Sequence, residues 1–258
     1  MPVWVSIISD WKNHDYYLAL LKAGIVNLVP DVRFFDITHD IPLYNIQRAG
    51  FVLRAVYNSL PKASIHLVCV NTEQNSDDPY VVIHHKGHYF IGADNGVFGI
   101  VFGTKPETII RYYPENDSVS GFRALSVFTR LTAYIAEQGD INLIGERQTD
   151  VLRKTELEPA VEPGLITGHI LYIDSYNNGI TNISRELFNR HVGNQKFVIY
   201  INSHFYYVNK IYESYHEVAC GDLVLLFNSL DLLEIAIRED DATALLSLDK
   251  KTLITIKY

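Results

Sequence analysis

Three polar stretches stand where chemistry is easiest to build. Asp10 follows a β-rich run at Val3–Ile8, Thr38-His39 follows one at Val32–Ile37, and Asn71-Thr72 follows one at Ser64–Val70. An ionised carboxylate can accept from two hydroxyls at once, and Asn and Thr supply neutral donors and acceptors. Such a set suits a small polar ligand. Other motifs do not hold up. Gly99-x-x-x-Gly103-Thr104-Lys105 lacks the glycine spacing and the Lys-Ser/Thr order of a phosphate loop. The sequence has no Gly-x-Ser-x-Gly nucleophile elbow. His84, His85 and His88 flank a Lys86-Gly87 turn and read as solvent-facing hairpin residues rather than metal ligands, and no metal site is expected.

The elements that must position these residues alternate through the first half. Between the strands, Leu18, Leu21, Ile25 and Leu28 recur at helical spacing, with Asn13 as a candidate N-cap, and Ile46, Ala49, Gly50, Leu53 and Val56 form a second helical face. Strand, helix, strand, helix, strand implies parallel pairing, and such sheets bind ligands at the strands' carboxyl ends. Short β segments are expected at 80–83, 89–91 and 97–102. A third helix, carrying Val127, Phe128, Leu131 and Ile135, should stop at Gly139. From 166 onward the pattern is strand-like, broken only by short helices near 185–190 and 242–246. The expected fold class is an α/β domain with a mostly parallel sheet over 1–150, a linker over 151–164, and a smaller all-β, barrel-like domain over 165–258.

Composition narrows the function class. The 258 residues are 48% hydrophobic and 20% charged, which is globular. Lys+Arg number 22 against 30 Asp+Glu, a net charge of −8, so a nucleic-acid partner is not expected. No apolar run approaches the ~18 residues of a spanning helix, and the first ten residues do not read as a secretory signal. A cytoplasmic protein without a membrane partner is the expectation. Cys69 and Cys220 read as buried free thiols.

Five ordered motifs then carry a resemblance. They are Ile8-Ser9-Asp10; Asp36-Ile37-Thr38-His39-Asp40-Ile41-Pro42; Ala93-Asp94-Asn95-Gly96; Tyr172-Ile173-Asp174-Ser175-Tyr176-Asn177-Asn178 with Thr181-Asn182-Ile183; and Ser229 through Leu233-Glu234-Ile235-Ala236. Together they resemble the S-adenosylmethionine hydroxide adenosyltransferase family, relatives of the fluorinating and chlorinating enzymes, over nearly the whole chain. The resemblance implies a homotrimer whose site lies between the N-terminal domain of one subunit and the C-terminal domain of the next. Water, or a halide in specialised members, attacks the ribose C5′ of S-adenosylmethionine and expels methionine. No cofactor is implied beyond this nucleoside itself.

By the same resemblance Asp10 holds the ribose hydroxyls, and Tyr44 stands beside the sugar. Asn71 and Thr72 fall on the ligand-binding loop. Asp174 meets the methionine ammonium, Asn178 reads adenine, and Ser229 lies near the methionine end. Read without the family, Asp10 is alternatively an N-cap and Tyr44 a core side chain, while Asp36-Thr38-His39 reads as a structural strand-end turn.

The chain departs from the family at the water. Hydrolytic members carry Val-Asp-Pro-Gly-Val-Gly-Thr followed by Arg, and later Phe-His-Gly-Arg-Asp. Here the first stretch is Val70-Asn71-Thr72-Glu73-Gln74-Asn75-Ser76, with Asp78 near the Arg position, and the second is Phe122-Arg123-Ala124-Leu125-Ser126. The three water-activating positions thus hold Asn71, Asp78 and Arg123. Asn71 cannot take a proton, and Arg to Asp reverses a charge. One compensation is an Asp78–Arg123 pair with Glu73 as base. Ala124 at the halide position argues against halogenation. Two readings follow: a hydrolase forming adenosine and L-methionine, or an inactive binder or structural homologue.

Overall fold

Val5, Ile7 and Ile8 are all inaccessible to solvent, so the first strand is covered on both faces, as a central parallel strand must be. The computed structural model describes residues 2–73, 79–114, 122–152 and 158–258. In chain order the first half contains β1 (Val3–Ser9), α1 (Tyr17–Leu28), β2 (Val32–Thr38), α2 (Ile46–Val56), β3 (Ile65–Cys69), β4 (Tyr80–His85), β5 (His88–Ala93), α3 (Val97–Val101), β6 (Thr108–Tyr112), α4 (Arg123–Ala136) and β7 (Glu146–Arg147). The sheet order is β2-β1-β3-β5-β4-β6-β7. The β2, β1, β3 and β5 ladders are parallel, while β4, β6 and β7 add antiparallel pairs. Leu21 and Ile25 of α1 and Val127 and Phe128 of α4 cover one face with Val5, Ile7 and Leu67. Ala49 and Leu53 of α2 and Phe98 of α3 cover the other with Ile8, Val68 and Phe90.

Several elements differ from expectation for local reasons. α1 begins after Tyr16, so Asn13 does not cap it. The stretch expected as a strand at 97–102 is largely the helix α3. Gly96 (φ 94°) turns the chain, and Asn95 Oδ1 accepts from Val97 N at 3.1 Å, which starts a helix that β-branched composition does not announce. α3 fits tightly over α2: a Cβ at Gly50 would lie 2.7 Å from Ile100 Cγ2. At the end of α4 the left-handed residue is Gln138 (φ 62°), one position before the expected Gly139.

The second half contains β8 (Ala160–Glu162), β9 (Leu165–Ile173), β10 (Gly179–Ser184), α5 (Arg185–His191), β11 (Val198–Ile201), β12 (Ser203–Val208), β13 (Leu223–Phe227), β14 (Leu232–Ile237), α6 (Ala242–Leu246) and β15 (Leu253–Lys257). All its ladders are antiparallel, in the order β12-β11-β15-β9-β10-β14-β13, forming a nearly closed, barrel-like sheet. β9 pairs with β15 through its first half and with β10 through its second, which turns the corner of the barrel. β8 arises within the stretch expected as a linker and pairs with β9. Contacts divide the chain into Met1–Thr155 and Glu156–Tyr258. Among the described residues no helix is long and apolar enough to cross a membrane. Cys69 is buried, but Cys220 is exposed, contrary to its apolar neighbourhood in sequence.

The histidines are also placed differently from the sequence reading. His85 and His88 are buried, and only His84 of the three is partly exposed, because β4 and β5 are interior strands rather than a free hairpin. His88 belongs to a polar chain crossing the sheet on its α2 side. Lys62 Nζ donates to His88 Nε2 (3.3 Å), His88 Nδ1 faces His66 Nε2 (3.1 Å), and His66 Nδ1 faces Ser6 Oγ (2.6 Å). An ammonium can only donate, so it orients the tautomers: His88 Nδ1–H donates to His66, and His66 Nδ1–H donates to Ser6. Tyr57 packs edge-on against both rings.

Burial, and then the neighbouring His88, push His66 down to a pKa of about 3. Burial first, then Lys62, His84 and His85, push His88 down to about 4. Both rings are neutral in the folded chain at pH 5, whereas in the unfolded chain they titrate near pH 6.5. Stability should therefore be full above about pH 6.5 and fall as pH drops toward 4, by up to about 1.4 kcal/mol per pH unit for each ring. Urea midpoints measured from pH 7 to 4 check the fall. Ring carbon shifts from NMR check its cause, since rings already protonated at pH 5 in the folded protein would refute it.

Candidate functional site

The carboxyl ends of the parallel strands carry Asp10, Thr38-His39, Asn71-Thr72 and Asp94-Asn95, one group after each of β1, β2, β3 and β5. Asp10 is buried, and its Oδ2 accepts from the backbone N–H of Tyr44 (2.9 Å) and Asn71 (3.3 Å). Both donors sit in the left-handed region, Tyr44 at φ 62° and Asn71 at φ 51°. Asn tolerates that conformation; for Tyr it costs roughly 1–2 kcal/mol, which the surrounding bonds must hold in place. Asp10 Oδ1 receives no hydrogen bond from the described residues and is left as an acceptor. Asp10 does not cap α1, which starts seven residues later.

Asp10, Tyr44, Asn71 and Thr72 line one cleft of about 750 Å³. Trp11, Tyr17 and Phe122 form an aromatic wall, with Phe122 edge-on to both partners at 5.1 and 4.8 Å. Tyr44 is 68% exposed, so it is a rim residue and not core. Asn95 holds the floor. Its buried Nδ2 donates to Val70 O (2.9 Å) and Asn71 O (3.0 Å) while its Oδ1 starts α3. His39 is buried and linked to Ser9 Oγ (2.8 Å), with Nε2 3.2 Å from Asp36 Oδ1 but out of line for a hydrogen bond. It is a link between strand ends. Burial raises the Asp36 pKa, but Lys22 and then His39 outweigh this and bring it below the usual carboxylate value.

Glu73 lines the same cleft. Its Oε1 accepts from Tyr80 OH (2.9 Å) and from the first-turn amide of α4, Ala124 N (2.8 Å), and Oε2 lies 3.4 Å from Arg123 Nε. Burial and then Glu73 raise the Tyr80 pKa, keeping its hydroxyl a donor. Arg123 therefore meets Glu73, whereas the sequence reading paired it with Asp78; Asp78 lies outside the described residues. Ala124 is inaccessible and its amide is taken by Glu73, which leaves no open donor there for a halide.

The second unit builds its own polar surface. Asp174 follows β9, and its Oδ1 accepts from Tyr176 N and Asn178 N, both at 2.9 Å, closing the turn into β10. Asn178 Nδ2 bridges Asp174 Oδ2 (3.3 Å) and Glu234 Oε1 (3.2 Å). Two carboxylates can only accept, so they fix the amide's orientation and leave Asn178 Oδ1 without a described donor. Glu234 is 3% exposed and also receives Tyr215 OH and Asn228 Nδ2. Asp174 and Asn178 line a cleft of about 760 Å³, and Asp174, Glu234 and Ser229 line an adjoining one of about 550 Å³.

Sequence reasoning passed over Glu234 and Asn95 as site builders and named them only within motifs. The signal for Glu234 was available: a single charge inside the otherwise apolar strand Leu232–Ile237, every residue of which is buried. Tyr80 carried no such signal, because a tyrosine in a buried strand looks like core.

A carboxylate pinned at the carboxyl end of a parallel sheet, beside an aromatic wall, marks a small-molecule-binding α/β protein. The chain belongs to the SAM hydroxide adenosyltransferase family: residues 5–145 match the model of its N-terminal domain and 168–255 that of its C-terminal domain. An (R)-S-adenosyl-L-methionine hydrolase of Methanocaldococcus jannaschii is 26% identical over 276 residues, spanning 98% of this chain and 95% of its own. Another protein of that name, from Thermus thermophilus, is 22% identical over 95% of each chain. The crystal structure of an uncharacterized conserved protein from Thermotoga maritima shares the fold, with a TM-score of 0.86 at 23% identity over 98% of this chain and 100% of that one. At the level of the family these similarities support S-adenosylmethionine binding and hydrolysis.

The clamp role of Asn95 is testable without a ligand. Asn95→Ala should strip donors from two carbonyls and an acceptor from α3, lowering stability by about 2–3 kcal/mol. Urea denaturation measures this, and a midpoint equal to the parent's would show the clamp to be dispensable.

Proposed function

We propose that this protein binds S-adenosylmethionine and hydrolyses it to adenosine and L-methionine by attack of water at C5′. The observation that carries the reading is Asp10, held through one oxygen by two backbone amides and keeping the other for a diol such as a ribose. Relatives named as hydrolases over almost the whole chain support it. The sulfonium already makes methionine a good leaving group, so the protein's task is to position the water and shield the reaction rather than to supply acid. In this reading Tyr44 stands beside the sugar, Asn71 and Thr72 form the loop beneath it, Asp174 meets the ammonium, Asn178 Oδ1 accepts from the adenine amine, and Ser229 lies toward the methionine end.

The second reading, a binder without turnover, is favoured by Asn71, which has no basic group at the position where hydrolytic members carry Asp. Incubation with S-adenosylmethionine and chromatography of the products decides between them. The hydrolytic reading expects adenosine and methionine in equal amounts, abolished by Asp10→Ala. Thermal stabilisation by millimolar ligand with no product would leave the binder, and no stabilisation would leave neither.

We further propose that the protein works in the cytoplasm as a homotrimer, the N-terminal half-site of one subunit closing on the C-terminal half-site of its neighbour. Tyr16, Leu20, Leu43 and Tyr44 at the mouth of the first cleft are each more than half exposed, an apolar rim suited to burial by another subunit. Light scattering should give three times the chain mass. Inactive Asp10→Ala and Asp174→Ala chains, mixed and reassembled, should recover part of the parent activity, because some sites then hold two intact halves. Mixtures as inactive as their components would count against a shared site.

A further inference from the structure

We propose that Glu73 holds the attacking water and receives its proton, a role that rests on the hydrolytic reading above. Glu73 is two residues beyond Asn71 and lines the same cleft as Asp10. Three donors from two elements fix its carboxylate: Tyr80 OH from β4, and the Ala124 amide and Arg123 Nε from the first turn of α4. Oε1 accepts two of them. Among the described residues Oε2 accepts only the third, at 3.4 Å, which leaves lone-pair capacity on an oxygen of a side chain that is 23% exposed. A carboxylate locked from behind with one acceptor free is preorganised for a single further donor, and water in the cleft is such a donor.

The two other candidates are less suited. Asp10 Oδ2 already holds two amides, and Oδ1 is assigned to the sugar hydroxyls. Asn71 has no group that can take a proton.

The chemistry places a negative charge where it is useful. The water oxygen bonds to C5′ as the C5′–S bond breaks and its electron pair returns to sulfur, leaving methionine as a neutral thioether. Positive charge thus moves from sulfur to the attacking oxygen. A carboxylate beside that oxygen stabilises the transition state more than the ground state. One water proton passes to Glu73 Oε2 and then to solvent, giving adenosine, methionine and one released proton.

The test compares the parent with Glu73→Gln and Glu73→Asp. The Gln side chain keeps a carbonyl oxygen for Ala124 N and Tyr80 OH, so the fold and the cleft should persist, as circular dichroism and calorimetric S-adenosylmethionine affinity will verify. Glu73→Gln is expected to lower kcat by about a hundredfold with KM changed less than about threefold. It should also remove the acid limb of the parent's pH–kcat profile, and Glu73→Asp should restore part of the rate. A Gln variant with parental kcat and profile overturns the assignment to Glu73 and leaves the hydrolytic reading standing. A parent that binds S-adenosylmethionine and forms no adenosine overturns both.

Discussion

Asp10 Oδ2 accepts the amides of Tyr44 and Asn71, and this double acceptance ties together the chain segments that leave β1, β2 and β3. The carboxylate is buried, so it needs strong partners; charge-assisted bonds of this kind contribute about 1.5–3 kcal/mol each. The geometry is demanding as well. Both donors adopt left-handed backbone to aim their N–H groups inward, and Asn95 must hold Asn71 O from below. Remove the acceptor and two strained residues lose the reason for their conformation. The start of the loop bearing Thr72 and Glu73 and the rim at Tyr44 are both anchored by that one oxygen.

The second unit solves a different problem with similar parts. Glu234 is buried among neutral donors, Asn178, Tyr215 and Asn228. Through Asn178 it shares an amide with Asp174, which closes the β9–β10 turn. The result is a stiff acidic edge whose remaining acceptors are Asn178 Oδ1 and part of Asp174 Oδ2. Burial and then Glu234 raise the Tyr215 pKa, so its hydroxyl stays a donor.

Much of this was legible from pattern alone. Alternating strand and helix signals located β1, β2, β3, α1 and α2, and the strand-end rule pointed to Asp10 and Asn71 before any family was considered. What escaped shares a physical cause: tertiary context overrode local preference. α3 formed from Val97–Val101 because Asn95 and Gly96 started it and burial on all sides rewarded it. His85 and His88 went inside because their strands are central in the sheet. Arg123 found Glu73 across fifty positions of chain, a pairing no local spacing encodes. Tyr80 looked like core and is core, yet its hydroxyl carries the contact that matters.

Lys12, Tyr44 and Asn71 all line the first cleft, and all three hold positive φ without being glycine. Selection for heat resistance alone would replace Lys12 and Tyr44 with glycine, relaxing the backbone while deleting a cation and an aromatic ring from the cleft. Bulky side chains at those positions separate two demands that usually coincide. Left-handed backbone outside the cleft, at Ala63, Lys86 and Gln138, turns the chain; at the rim the same strain also sets a cation and an aromatic ring against the cleft, a shape that folding by itself does not require.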